Sequence, residues 1–161
     1  MEHTIELEAT LRAPLDEVCD AFVRRSTQGV EPTRLEVELS TGGSVRQQVD
    51  VHFGPLQVEE GSATQSIHIE AADHPYLFPT LDGELIALGM QPEDETRICL
   101  TGRYRPPLGV AGAIGDRLGG QHLAEGSVEA FFADFVANIT HELETTHLGW
   151  KPAPATWTLR D

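Results

Sequence analysis

The sequence predicts an α+β fold, a curved antiparallel sheet of about six or seven strands wrapped around one long C-terminal helix. Two observations predict it. From His122 to His147 the apolar residues recur with helical period. At about 100° per residue, Ala124, Val128, Phe131, Phe132, Phe135, Ile139 and Leu143 fall within a stripe about 120° wide, the mark of a helix lying on something apolar. Three of the six phenylalanines sit on it. Upstream, short stretches alternate with period two between turn residues, which is the pattern of strands. The partner of the helix is therefore a sheet.

The elements follow in order. In HTIELEATL, His3, Ile5, Leu7, Ala9 and Leu11 point one way and Thr4, Glu6, Glu8 and Thr10 the other, giving a half-buried strand. Ala13-Pro14 opens a short helix, with Asp16 and Glu17 complementing its positive end and Leu15, Val18, Cys19 and Phe22 as its apolar face. The polar stretch RRSTQGVEPT is expected to end it. RLEVELS and SVRQQVDVHF are strands divided by Thr41-Gly42-Gly43, with Leu35, Val37 and Leu39 on one face of the first, and Val45, Val49, Val51 and Phe53 on one face of the second. Gly54-Pro55 and Glu59-Glu60-Gly61 mark loops ahead of TQSIHIEA, where Ile67 and Ile69 face inward and His68 outward. Strands near 79–90 and 95–105 pair across Gln91-Pro92-Glu93-Asp94. In the later one Ile98, Leu100, Gly102 and Tyr104 face inward, and Gly102 marks a bend or a close backbone approach. After Pro106-Pro107, LGVAGAIGDRLGG leads into the long helix. Its Gly109, Gly112 and Gly115 do not form GxGxxG, and close packing explains them better than a phosphate loop.

Composition excludes several function classes. A chain of 161 residues fits a single domain, which we place at 1–148, and such a length buries about 70% of its unfolded surface. Residues 149–161 form a tail with Trp150 and Trp157, large aromatics that need somewhere to dock, on this domain or on a second copy; a homodimer stays open. The 26 acidic and 11 basic side chains give a formal charge of −15, which repels nucleic acid and anionic membrane surfaces. No apolar run is long enough for membrane insertion, and MEHTIELEATL lacks the basic and apolar blocks of a signal peptide, so a cytoplasmic location is expected. Lys151, the only lysine, lies in the Pro-containing tail, a poor place for Schiff-base chemistry. Cys19 and Cys99 are far apart in sequence and form no metal-type cluster.

Strand, short helix, antiparallel strands and long C-terminal helix resemble, in that order, the helix-grip fold of START-related lipid-transfer proteins and polyketide cyclases, grouped as the SRPBCC superfamily. The junction GRYRPPLGVAGAIGDRL with the following VEAFFADFVANI is similar to the entry into the last helix of bacterial members, and APLDEVCDAF is similar to their first helix. The resemblance spans residues 3–147. It implies a cavity between sheet and helix that takes lipids, polyketides, hormones or quinones. The Trp-containing tail departs from the family pattern.

Catalytic motifs are few. HELETTH falls short of a zinc-protease HExxH because Thr145 stands where histidine is needed, and the other histidines share no ligand spacing; no metal site and no cofactor are expected. No serine occupies a GxSxG elbow. Asn138 and Glu142 lie at the edge of the apolar stripe, where they either anchor a bound molecule or meet water just outside the grip. The leading expectation is the binding of a small, mostly hydrophobic molecule against Ile67, Leu85, Leu100, Phe131, Phe135 and Ile139, with Tyr104, Asn138 and Glu142 as polar contacts. A cyclase-type enzyme in the same cavity, with Glu142 or His3 moving protons, is the alternative. A protein-interaction domain is the third, and a filled interior would favour it. No catalytic residue is assigned.

Overall fold

The computed structural model describes residues 2–28, 30–38, 44–72, 79–91, 94–105, 117–146 and 157–159, the side chains of 28, 30–45, 47, 117–123 and 157–159 excepted. It is an α+β chain. Strand β1 (His3–Leu11) leads to helix α1 (Leu15–Gln28), then β2 (Val30–Glu38), β3 (Ser44–Glu59), β4 (Ser62–Ala71), β5 (Thr80–Gly89) and β6 (Thr96–Arg105). Helix α2 (Arg117–Thr146) and strand β7 (Trp157–Leu159) follow. Among the described residues the strands form one antiparallel sheet in the order β2-β3-β4-β5-β6-β1-β7. No helix among them is long and apolar enough to cross a membrane.

Alternation places the inner face of the sheet. Ile5, Leu7, Ala9 and Leu11 on β1 are buried, as are Ile67 and Ile69 on β4, Leu81, Leu85 and Ala87 on β5, and Ile98, Leu100 and Tyr104 on β6. These side chains form one apolar layer beneath the helices. All seven residues of the predicted α2 stripe are buried, and Ser127 and Val136 widen it. The backbone of α2 comes closest to β2 toward one end of the sheet order and to β1 and β6 toward the other, while α1 covers β3, β4 and β5.

Local structure departs from expectation in five places, the first being that β2 starts at Val30, within the expected polar connection, and not at Arg34. Helix α1 continues to Gln28 instead of yielding to a polar connection near Arg24, because Arg25 is buried and Ser26 Oγ sits 3.2 Å from the Phe22 carbonyl oxygen. Its buried face is Val18, Ala21, Phe22 and Arg25, still spaced i, i+3, i+4, i+7 but turned away from Leu15 and Cys19, which are only partly covered. Strand β3 runs through Gly54-Pro55, the expected loop, by shifting register against β4 between Phe53 and Leu56, as a β-bulge does. The turn between β3 and β4 is Glu60-Gly61 alone, with Gly61 at φ 78° in the left-handed region that favours glycine.

Gly102 is the close approach its position suggests. It pairs with Gly83 across β5 and β6, and a Cβ on it would stand 2.8 Å from the Asp82 carbonyl oxygen and 3.0 Å from Gly83 Cα. Between Leu81–Tyr104 on one side and Leu85–Leu100 on the other, this pair adds no side chain to the inner face. The tail docks through its backbone, with Leu159, Thr158 and Trp157 opposite Leu7, Glu8 and Ala9 on the outer edge of β1. The Pro106–Gly115 stretch with Gly112, the Thr41–Gly43 turn, Pro92-Glu93 and Trp150 lie outside the described residues.

Candidate functional site

The apolar residues expected to line a site are assembled in one region. Leu85 and Leu100 face each other across β5 and β6, and Ile67 lies one strand away on β4. From above, α2 lowers Phe131, Phe135 and Ile139 onto the same layer, all three buried. Phe135 is the hub of an aromatic cluster, with ring centroids 5.8 Å from Phe22 on α1, 6.0 Å from Phe53 on β3 and 6.0 Å from Phe131. Such pairs contribute beyond their area, about 0.5–1.5 kcal/mol each. The inward period of β3 brings Phe53 there, and it stays only partly buried.

Polar groups stand at either end of this layer. Tyr104 is buried; its hydroxyl donates to Glu125 Oε1 at 3.0 Å and its ring stacks on His3 with centroids 5.3 Å apart. Burial, then the hydrogen bond and charge of Glu125, push the Tyr104 phenol well above its usual range. Toward the C-terminal end of α2, Glu142 is half-buried and holds Arg24 Nε at 2.5 Å from Oε1 and an Arg25 Nη at 3.6 Å from Oε2. Arg25 also lies over the Phe135 ring, 5.4 Å from its centroid, which joins the ion pair to the aromatic cluster. Asn138, by contrast, is exposed, on the solvent side of the helix. The structure thus brings eight of the nine expected residues to the inner layer or its margin.

Sequence reasoning passed over three residues here: Phe53 as a partner of Phe135, Arg25 and Gln65. Gln65 is completely buried on the inner face of β4, opposite Leu85 on β5 and Leu56 on β3, with Ala63 and Ile67 two residues to either side. Its Nε2 donates to the Gly54 carbonyl at 2.9 Å and to Ser26 Oγ. A carbonyl only accepts, so the amide orientation is fixed, and Oε1 is left without a hydrogen-bond partner among the described residues. Leaving such an acceptor unpaired costs about 1–3 kcal/mol. The signal was available in TQSIHIEA, since Gln65 shares the parity of Ile67 and Ile69.

The outer face carries different chemistry. His68 Nδ1 lies 2.6 Å from Asp82 Oδ1, His52 Nε2 lies 3.4 Å from Glu70, and Arg105 joins Asp82 to Glu2. The Arg105 contacts are solvated ion pairs of small individual worth, and the histidine contacts are ion pairs only when the imidazole is protonated. Two open surface hollows lie apart from the inner layer: one on the outer face between Thr4, Asp82, Glu84, Thr101 and Arg103, the other between Leu15, Cys19, Val58 and Asp94. Burial first, then the Asp20 and Asp16 charges, raise the Cys19 thiol above its usual value, away from the thiolate a nucleophile needs. Among the described residues no group of three His, Cys, Asp or Glu side chains is spaced to hold a metal ion.

Compared with protein-family models and with curated proteins, the sequence matches none.

Proposed function

We propose that the chain is a helix-grip protein of the START-related class that binds a small, mostly hydrophobic molecule, such as a lipid, polyketide or quinone, between the sheet and α2. The observation that carries this reading is the approach of α2 to strands near both ends of the sheet order. β2 and β6 are four strand spacings apart, about 19 Å in a flat sheet, a span that α2, about 45 Å long, bridges by lying across the strands. The strands between them are covered chiefly by α1. A sheet curled around the helix meets both conditions, and a curled sheet leaves volume beside the line of contact. Supporting it further, the inner face carries a Gly83–Gly102 patch with no side chains, and the aromatic cluster at Phe135 ends in the partly buried Phe53.

Acid–base chemistry in the same space, of the cyclase kind, has one observation in its favour. Tyr104, Glu125 and Glu129 gather at the N-terminal half of the described part of α2, and burial followed by the Glu125 charge holds the Glu129 carboxyl above the usual range. Its proton would then be retained at higher pH than in an exposed carboxyl.

Native mass spectrometry of freshly purified protein, paired with a solvent extract, tests the binding reading without a guess at the ligand. A discrete added mass is expected, lost in Phe53→Glu at the partly buried end of the aromatic cluster while circular dichroism stays unchanged. A clean mass together with no binding of any apolar probe would retire the carrier reading and turn attention to a protein partner.

A further inference from the structure

The unpartnered oxygen of Gln65 narrows what such a ligand can be. Gln65 is wholly buried, its register neighbours on the inner face are Leu85, Leu56, Ala63 and Ile67, and its Nε2 is committed to Gly54 and Ser26. Only Oε1 remains, and it can only accept. Resting on the ligand-site reading above, we infer that Gln65 Oε1 is the polar anchor of the interior site, and that the ligand is a neutral, largely apolar molecule carrying a hydroxyl, such as a phenol or long-chain alcohol.

The chemistry excludes the near alternatives. A carboxylate has no proton to donate and would set a second acceptor against the amide oxygen in an apolar layer. A hydrocarbon or an ether leaves Oε1 as it is. An ammonium donates, but it must shed its hydration among Leu56, Ala63, Ile67 and Leu85, register neighbours that offer it no anion. A neutral hydroxyl satisfies Oε1 at the smallest desolvation cost, because only one polar group accompanies the apolar body.

The test uses two probes of nearly the same shape, 1-naphthol and 1-methoxynaphthalene, titrated by fluorescence into the full chain. Wild-type protein should prefer naphthol by roughly five- to tenfold, the effect of one neutral hydrogen bond. In Gln65→Met, which keeps length and loses the acceptor, that preference should fall to within about twofold, while the methyl ether binds as before. Equal affinity for both probes in wild type, or a preference that survives in Q65M, overturns the anchor and leaves the ligand site standing. Binding of neither probe overturns the ligand site and the anchor with it. Should Q65M fail to fold, the wild-type protein decides: naphthol should move the Gln65 side-chain amide resonances in a nitrogen-15 spectrum clearly farther than methoxynaphthalene does. Equal movement with both probes, or none with either, overturns the inference.

Discussion

Glu129 lies one helical turn after Glu125 on α2, and burial followed by that neighbouring charge lifts its carboxyl above the ordinary range. The sign of the consequence follows from linkage. A carboxyl raised by folding binds more protons in the native state, so its ionisation works against stability once the pH passes the unfolded value, about 4.3. Glu129→Gln should therefore raise the Tm at pH 7, with the gain shrinking toward pH 3, where the wild-type side chain is protonated in both states. Thermal melts at the two pH values check this, and an equal gain at both would assign the effect to shape instead of charge. Other single residues show how far the sequence could be read. Alternation puts Gln65 and Tyr104 on the inner face, but it names no partner for them. The Arg24–Glu142 pair joins residues 118 positions apart, and no local pattern encodes such a meeting.

Among the elements, α2 was the most legible, because its seven-residue stripe obeys the helical period and every member is buried. β1 and β6 were legible for the same reason with period two. β3 was not, since Gly-Pro carries the signal of a loop, and only the partner strand reveals that the chain bulges there and continues. The extent of α1 was hidden because its last turn is held by tertiary contacts of Arg25 and Ser26 and not by helix-forming composition. For the β5–β6 pair, Gly102 was the legible warning. Since a methyl there meets backbone atoms of Asp82 and Gly83, Gly102→Ala should cost about 1–3 kcal/mol. Gly89→Ala, whose new carbon would find its nearest neighbours at an ordinary 3.6 Å, should stay within about 0.5 kcal/mol. Urea titrations of the two variants compare them directly, with equal midpoints counting against the close approach.

At the scale of the whole molecule, β7 shields the flank of β1 that would otherwise be a free edge. Removing residues 157–161 should leave β4 and β5 intact and make the amides of Leu7, Glu8 and Ala9 that face β7 exchange faster with deuterium. Unchanged protection of β1 would show that the tail contributes nothing to it. The sheet order has a further result for the way the chain is made. β2 to β6 is a run of neighbours in sequence, each able to pair as soon as the next has been synthesised, whereas β1 finds its first partner only when β6 exists and its second only when the tail does. The earliest-made strand of this sheet is thus left unpaired while β2 to β6 assemble, and its Ile5, Leu7, Ala9 and Leu11 face waits, open to chaperones, until β6 emerges.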